Sequence, residues 1–187
     1  QIRALPAPAR SAVQWLIVAR HPQRFDEIAR LIEAQGWPVR RRSQRADWIA
    51  PPPGDIPADM PADQPYIALC DSLGEMPAYY HLAHLALLGG SFAPLGGQNL
   101  IEAAACACPV FMGPHTFNFV QAAQSALQTG AARRFNDLAQ ALPAAIELCQ
   151  TPAAHARMAQ AALAFAQSHR GSARRQAQAS LEFLMKK

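Results

Sequence analysis

The sequence predicts an α/β fold in which short strands form a doubly wound parallel sheet. Apolar runs that end in turn residues alternate along the 187 residues with segments whose apolar positions recur at helical spacing. Continuous apolar character of this kind is typical of parallel strands that are buried on both faces. Roughly six such runs are present, and their alternation with helices indicates strands joined by helical crossovers.

Residues 1–12 are rich in proline and alanine, and they predict a linker that leads into the domain proper at 13–187. The first strand is expected at 13–18, where an apolar run contains a central tryptophan. A helix is predicted next because apolar residues recur at helical spacing from 25 to 32, and Gly36 can terminate it.

Three arginines at 40–42 lie in the second predicted strand, 37–43, and they are interpreted first as a solvated edge and second as an anion contact. The prolines and aspartates of 45–64 predict a loop with polyproline character. The third strand is expected at 66–70, and either of the polar residues at 71–72 can cap the helix that follows it.

The stretch 85–119 gives the strongest indication of a ligand site. Its apolar runs at 85–88 and 110–112 predict two buried strands, each of which ends in a turn that contains glycine. Glycine pairs at 89–90 and 96–97 allow backbone conformations that other residues resist. Two successive strand–turn–helix units place two helix N-termini at one sheet edge, where α/β sheets bind phosphate.

Asn99 is predicted to cap the helix that begins at Leu100 and reaches about Ala107, because Glu102 completes a capping box. A capping box can serve stability alone. The flanking glycine pairs nevertheless favour ligand binding, since a cap requires only one flexible residue. A carboxylate such as Glu102 would accept hydrogen bonds from vicinal ribose hydroxyls.

The last third of the chain predicts one strand and several helices. Thr116 is expected to open a helix that ends near Gly130, and a strand follows at 132–135. Asn136 or Asp137 can cap the helix after that strand. Residues 151–187 are predicted to form two helices. Thr151 as N-cap and Pro152 as the first helical residue begin one helix that reaches about His169, and a last helix is expected over 173–184.

The composition argues against several classes of protein. The longest apolar runs fall far short of the roughly 20 residues that cross a bilayer, so a soluble cytoplasmic domain is expected. The net charge of +4 comes from small arginine clusters without interleaved aromatics, which suits an anionic ligand or membrane surface better than nucleic acid. The cysteines form no C-x-x-C pair and indicate small buried thiols; they are Cys70, Cys106, Cys108 and Cys149.

The motifs of several common enzymes are absent. The first strand ends in Arg20-His21-Pro22 instead of G-x-G-x-x-G, and neither G-x-x-x-x-G-K-[ST] nor G-x-S-x-G occurs. His81 and His84 have no acidic partner nearby, so they are interpreted as ordinary polar positions. No D-x-D motif, which would carry a divalent ion to a sugar diphosphate, is present, and no metal and no cofactor is expected. If the ligand is a nucleotide sugar, its leaving phosphate would be stabilised by helix N-termini and basic side chains. Arg20, at a strand end, is the best candidate cation, with a surface salt bridge as the alternative.

Five short motifs occur at or after the predicted strand ends: Ala19-Arg20-His21-Pro22, Asp71-Ser72-Leu73-Gly74-Glu75-Met76, Gly89-Gly90-Ser91, Gly96-Gly97-Gln98-Asn99-Leu100-Ile101-Glu102 and Gly113-Pro114-His115-Thr116-Phe117-Asn118-Phe119. In this order, over 13 to about 120, they resemble the C-terminal half of the 3-deoxy-D-manno-octulosonic acid (Kdo) transferase family. The resemblance implies a GT-B glycosyltransferase made of two Rossmann-like domains, of which this chain is the one that binds the donor.

The resemblance also implies an activity and its partners. The family transfers Kdo from CMP-Kdo to a lipid A precursor in lipopolysaccharide biosynthesis, at the cytoplasmic face of the bacterial inner membrane, with inversion and without a metal. Its general base, its acceptor site and any membrane association belong to the N-terminal half. This chain is therefore expected to bind the donor without catalysing transfer alone.

The resemblance places phosphate or carboxylate contacts after the first strand, base contacts after the third strand, and ribose and phosphate contacts at the capped helix. The implied residues are Arg20, His21, Leu73, Gly74, Glu75, Asn99, Leu100, Ile101 and Glu102, with Gly90, Ser91, Gly97 and His115 as further candidates. Three positions depart from the family pattern, which has proline at Ala19, histidine at Gln98 and proline at Leu100.

Two alternative functions are considered. One is a related enzyme that uses a UDP-sugar, either a transferase or an epimerase, and the other is a non-catalytic binding domain.

Overall fold

The computed structural model describes residues 1–44 and 66–169, which form an α/β fold with parallel strands. The loop predicted at 45–64 and the helix predicted at 173–184 lie outside the described residues. The predicted α/β class is confirmed. The chain divides into two compact units, which are Gln1–Met76 with Leu142–Glu147, and Pro77–Ala141 with Leu148–Lys187.

The first unit contains a three-stranded parallel sheet in the order β1-β3-β2. Its elements are α1 (Ala7–Ser11), β1 (Trp15–Val18), α2 (Phe25–Ala34), β2 (Val39–Arg41) and β3 (Ile67–Cys70). Strand β3 is buried along its whole length because it pairs with β1 on one side and β2 on the other. Ala29 and Ile32 of α2 pack with Ile67 and Leu69 of β3 to form the core of this unit.

The first twelve residues are folded, whereas the sequence predicted a linker there. They form a 3₁₀ turn at Ile2–Ala4 and helix α1. Ile2 packs against the core of the first unit, and the indole Nε1 of Trp15 donates to the Arg10 carbonyl at 3.1 Å. The apolar side chain of Ile2 was too isolated in the sequence to reveal this packing. The domain boundaries themselves stay a prediction.

The solvated edge predicted for residues 40–42 is wrong. Arg40 is only 5% exposed, and its guanidinium lies 4.6 Å from the centroid of the Tyr66 ring. Arg41 and Arg42 form ion pairs with carboxylates that follow β3 in the chain. A run of charged residues normally lies at the surface. Here the aromatic and acidic partners that flank β3 in the chain cover the three arginines.

The remaining strands form a second three-stranded parallel sheet in the order β4-β5-β6. Within the described residues the six strands thus form two hydrogen-bonded ladders of three, where the sequence predicted one sheet. Phe111 at the centre of β5 is fully buried, and α4 packs against α7. The elements of this part of the chain are α3 (Met76–Leu82), β4 (Ala86–Leu88), α4 (Leu100–Ala105), β5 (Val110–Met112), α5 (Val120–Gln128), β6 (Ala132–Arg134), α6 (Leu138–Cys149) and α7 (Pro152–His169).

Several helix ends have local causes. Helix α4 ends two residues earlier than predicted, and Ala107 beyond it has a φ of +56°, which cannot continue a right-handed helix. Helix α5 begins at Val120, after a 3₁₀ turn at Phe117–Phe119, instead of directly after Thr116. Asp137 caps α6, since its Oδ1 accepts from the Gln140 amide at 2.8 Å. Among helices in the described residues, none has the length and apolar character of a membrane span.

Candidate functional site

Ser91 joins the turns that follow β4 and β5. Its side chain is fully buried, and Oγ donates to the Leu88 carbonyl at 2.6 Å while accepting from the Gly113 amide at 2.7 Å. The Ser91 carbonyl accepts from the His115 amide at 3.0 Å. The hydroxyl therefore has a structural role, instead of the contact with a bound nucleotide sugar that the sequence predicted.

The glycine pair at 96–97 allows two loops of the second unit to pack closely. Gly96 and Gly97 have φ values of +84° and +77°, and both are buried. The Asn118 amide donates to the Gly96 carbonyl at 3.2 Å, and the Gly97 amide donates to the Gly90 carbonyl at 3.3 Å. A Cβ at Gly96 would lie 2.3 Å from Asn118 Nδ2. These glycines thus serve loop packing, and a ligand is not needed to explain them.

The predicted cap of α4 is confirmed. Asn99 Oδ1 accepts from the Ile101 amide at 3.1 Å, and Asn99 Nδ2 donates to Glu102 Oε1 at 3.1 Å. Glu102 is exposed and Ile101 is half-buried, but the Leu100 side chain lies in the core. Leu100 could therefore contact a ligand only through its backbone, whereas the side chains of the other three positions are at least partly accessible.

Replacing Asn99 with alanine should lower the free energy of unfolding by about 1 kcal/mol, the usual loss for a side-chain N-cap. Asn99→Ser keeps an acceptor for the Ile101 amide and should retain most of the stability. Urea unfolding of both variants measures this, with Asn136→Ala, in an exposed loop position, as the control. Equal stability of the alanine and serine variants would contradict the capping role.

A buried tyrosine stands beside the Glu102 carboxylate. Burial raises the pKa of Tyr80 to about 12, and the negative charge of Glu102 adds to this shift. The Tyr80 hydroxyl thus stays protonated at neutral pH.

Arg134 is a cation near the β5 turn that the sequence analysis did not select. Its Nη2 donates to Thr116 Oγ1 at 2.9 Å, and Thr116 itself is buried. The neighbouring His115 is half-buried and is fixed through its backbone by Ser91. The signal in the sequence was the pair Arg133-Arg134 at a predicted strand, which composition alone could not assign to this turn.

In the first unit, Arg20 and His21 are exposed directly after β1, while the preceding Ala19 is buried. The Arg20 guanidinium makes no hydrogen bond or ion pair to any residue within 1–44 and 66–169. The surface salt bridge considered as its alternative role is therefore not formed within the described part of the chain. A guanidinium in this state is available to an anion.

The turn at 71–75 follows β3 and presents its middle to solvent. Leu73 is 68% exposed, and Gly74 has a φ of +79° with open space around its α-carbon. The Glu75 carboxylate accepts from Arg42 Nη2 at 2.9 Å and from Ser72 Oγ. The turn therefore offers an apolar side chain and open backbone, with its acidic end neutralised.

Asp71 is buried at the start of this turn, and its carboxylate is bound by other residues instead of capping the helix that follows. Its carboxylate accepts from Arg41 Nε at 2.6 Å, Ser43 N at 2.8 Å and Ser43 Oγ at 2.6 Å. Burial alone would raise the pKa of Asp71, but the hydrogen bonds from Ser43 and then Arg41 hold this pKa below its usual value. Arg41 also pairs with the exposed Asp26 at 2.6 Å. The carboxylate is thus ionised and fixed.

A cleft of about 300 Å³ lies between α2 and β2. None of the residues that the family resemblance implies as donor contacts lines it; its lining consists of Asp26, Ala29, Arg30, Glu33, Val39, Arg41 and Gln44. Its charged groups of both signs include Arg41, which already has two carboxylate partners. The cleft is separate from the predicted contacts of the first unit.

The cysteines and histidines do not assemble a metal site in the residues that the structure describes. All four cysteines are free, and burial raises the pKa of Cys70 and of Cys108 to about 12. His84 faces His155 with ring centroids 5.5 Å apart, and His155 Nε2 lies 2.7 Å from the His84 carbonyl oxygen. These groups therefore have packing and hydrogen-bonding roles.

The chain is similar in sequence to enzymes that share one name. It is 46% identical over 162 residues to 3-deoxy-D-manno-octulosonic acid transferase of Bordetella pertussis, which covers 86% of this chain and 35% of that protein. It is 30% identical over 161 residues to the transferase of the same name from Haemophilus influenzae, again covering 86% and 35% of the two chains. The chain thus spans about a third of the length of these relatives. No family model matches it.

A solved structure gives the same result for the fold. The C-terminal CMP-Kdo binding domain of WaaA from Acinetobacter baumannii matches with a TM-score of 0.68 and 27% identity, over 81% of this chain and 72% of that chain. The resemblance carried by the five motifs is therefore confirmed. This chain belongs to the 3-deoxy-D-manno-octulosonic acid transferase family, in which it corresponds to the C-terminal domain.

Proposed function

We propose that this chain binds CMP-Kdo as the donor domain of a Kdo transferase. The observation that carries the proposal is the similarity to a CMP-Kdo binding domain over 81% of the chain, with 46% identity to a named Kdo transferase in support. The chain's own residues add a second line of support, because most of the predicted contacts have groups that a nucleotide sugar could reach.

Arg20 is proposed to bind the donor phosphate or carboxylate, with His21 beside it. Both side chains are exposed, and the Arg20 guanidinium has no competing acceptor among the described residues. A guanidinium can donate two parallel hydrogen bonds to either anion. Because the arginine directly follows the buried Ala19, its backbone is held while its side chain stays available.

The turn at 71–75 is proposed to contact the base. The exposed Leu73 supplies apolar surface, and Gly74 lets a ligand approach the backbone without meeting a side chain. Glu75 is proposed to shape this turn, because its carboxylate is already bound by Arg42 and Ser72.

The start of α4 is proposed to contact the ribose and phosphate. Glu102 is exposed and can accept from vicinal hydroxyls, while Asn99 orients it through the 3.1 Å bond to Oε1. Leu100 and Ile101 would contribute backbone amides. Gly90 and His115 remain candidate contacts; a Cβ at Gly90 would lie 3.4 Å from the Gln98 side chain, at the position where the family has histidine.

The activity of the whole protein is proposed from the family. It would transfer Kdo to a lipid A precursor, with inversion and without a metal, in lipopolysaccharide biosynthesis at the cytoplasmic face of the inner membrane. The general base, the acceptor site and membrane association are assigned to sequence outside these 187 residues. This chain alone is expected to bind the donor without transfer.

Thermal unfolding with CMP, UDP and ADP tests the proposal. CMP should raise the melting temperature, since a ligand at a hundredfold excess over its dissociation constant stabilises the native state by about 2.7 kcal/mol. Arg20→Ala and Glu102→Ala should each reduce the CMP shift, measured from that variant's own ligand-free melting temperature. Glu33→Ala, which removes another exposed helical carboxylate, should leave the shift unchanged.

Two outcomes would contradict the proposal. A larger shift with UDP than with CMP would favour the related enzyme that uses a UDP-sugar. No shift with any nucleotide at millimolar concentration would favour a binding domain whose ligand is not a nucleotide.

A further inference from the structure

We infer that Arg42 is a positioning residue of the proposed donor site: it neutralises and orients the Glu75 carboxylate, so that the turn at 71–75 can accept an anionic nucleotide. The inference rests on the proposed function. It assigns a specific role to an arginine that does not belong to any of the five family-like motifs.

The Glu75 carboxylate is held at both oxygens. Arg42 Nη2 donates to Oε1 at 2.9 Å, and Ser72 Oγ donates to Oε2. The Arg42 and Glu75 side chains are each about one-third exposed, so the pair is partly removed from water. A carboxylate with a donor on each oxygen has a fixed orientation, and its charge is compensated locally.

Two consecutive arginines clamp the two ends of one turn. Arg41 binds Asp71 at its start, and Arg42 binds Glu75 at its end. The Arg42 amide donates to the Leu69 carbonyl at 3.0 Å, so its backbone is fixed to the central strand of the sheet. Between the clamped ends, Leu73 and Gly74 are exposed. The clamp therefore sets the shape of the surface that is proposed to meet the base.

The charge of the ligand explains why the clamp matters for binding. CMP-Kdo carries the phosphate of CMP and the carboxylate of Kdo, so the proposed donor is anionic. An uncompensated Glu75 carboxylate in the turn would repel these groups, and Arg42 removes that repulsion by pairing with it. The expected effect of Arg42 on affinity therefore depends on the presence of Glu75.

A double-mutant cycle tests this dependence with CMP as the probe. Arg42→Met should raise the dissociation constant for CMP on the order of tenfold, because it removes the positive charge that offsets the Glu75 carboxylate near the protein surface. In the Glu75→Gln background the same Arg42→Met change should alter the dissociation constant by less than about twofold, because the repelling charge is already absent. Arg30→Met, which removes another arginine of the first unit, is the matched control.

Salt separates this electrostatic role from a purely structural one. The loss caused by Arg42→Met should shrink in about 1 M salt, where the screening length is about 3 Å, whereas a misfolded turn would not recover. Ligand-free melting temperatures of the four proteins in the cycle separate folding from binding. Arg42→Lys keeps the positive charge and should bind CMP with a dissociation constant close to that of wild type. If Arg42→Met does not fold, Arg42→Gln, which is also neutral, takes its place in the cycle.

These measurements distinguish a failure of the proposed function from a failure of the inference about Arg42. If wild type does not bind CMP, the proposed function fails and this inference falls with it. If wild type binds CMP and Arg42→Met binds equally well, only this inference is overturned. If Arg42→Met weakens binding equally with Glu75 present or replaced, Arg42 contacts the ligand directly and the positioning role is overturned.

Discussion

Replacing Gly113 with alanine should lower the free energy of unfolding by about 3 kcal/mol, at the upper end of overpacking costs. An alanine Cβ would lie 2.3 Å from the Ser91 carbonyl oxygen, 2.7 Å from the Ser91 carbonyl carbon and 2.8 Å from Phe92 Cα. All three are backbone atoms, so no side-chain rotation can relieve the contact. Moving the backbone would break the bonds that the Ser91 hydroxyl makes to Leu88 and Gly113.

Gly89→Ala is the matched control for this experiment. Gly89 follows β4 as Gly113 follows β5, but a Cβ at Gly89 would meet no atom within 4 Å. Its free energy of unfolding should change by no more than about 0.5 kcal/mol, as for most unconstrained surface substitutions. Urea unfolding of both variants measures the difference. Equal stability of the two would show that the turns do not approach each other as closely as the structure has them.

Replacing Asp71 with asparagine should lower the free energy of unfolding by about 3 kcal/mol, because it leaves part of a buried ion pair uncompensated. The Asp71 side chain is 1% exposed and is bound by Arg41 and by two groups of Ser43. Asp26→Asn removes a carboxylate from the same Arg41, but that side chain is 77% exposed. It should cost less than about 1 kcal/mol. Similar losses in both variants would contradict the importance of burial.

The Asp71 carboxylate also makes the free energy of unfolding depend on pH in the acid range. Its pKa is below the usual value in the folded state, so its contribution to stability is present above the unfolded-state pKa, near 3.9 for aspartate. That contribution is lost as the pH falls through the folded-state pKa. Urea unfolding from pH 6 downward should therefore show a steeper acid loss for wild type than for Asp71→Asn. Parallel pH profiles would show that another group carries the acid dependence.

Local patterns in the sequence predicted the strands and most helices. The apolar run at 110–112 became β5 with the same bounds, and Gly36, with a φ of +75°, stands just beyond the end of α2. Asn99 caps α4 as the capping box indicated. These features depend on residues a few positions apart, so the information for them is contiguous in the chain.

The roles of the charged and glycine residues could not be predicted in the same way. The arginines at 40–42 were assigned to solvent, because their partners Asp71 and Glu75 lie about thirty positions further along. Ser91 was considered a ligand contact, yet its hydroxyl accepts from an amide 22 positions away. In the sequence the glycine pair at 96–97 favours ligand binding, whereas its packing partners come from the turns after β4 and β5.

By itself, the sequence determined the α/β class, the alternation of strands and helices, and the motifs that relate the chain to the Kdo transferases. Periodicity, caps and turn residues suffice for these, since each is a short-range preference of the backbone. The tertiary structure alone decided which polar groups are buried and satisfied within the protein, as Asp71 and Ser91 are, and which remain exposed, as Arg20 and Glu102 are. The physical reason is that a buried polar group requires a partner, and only the folded chain brings distant partners within hydrogen-bonding distance.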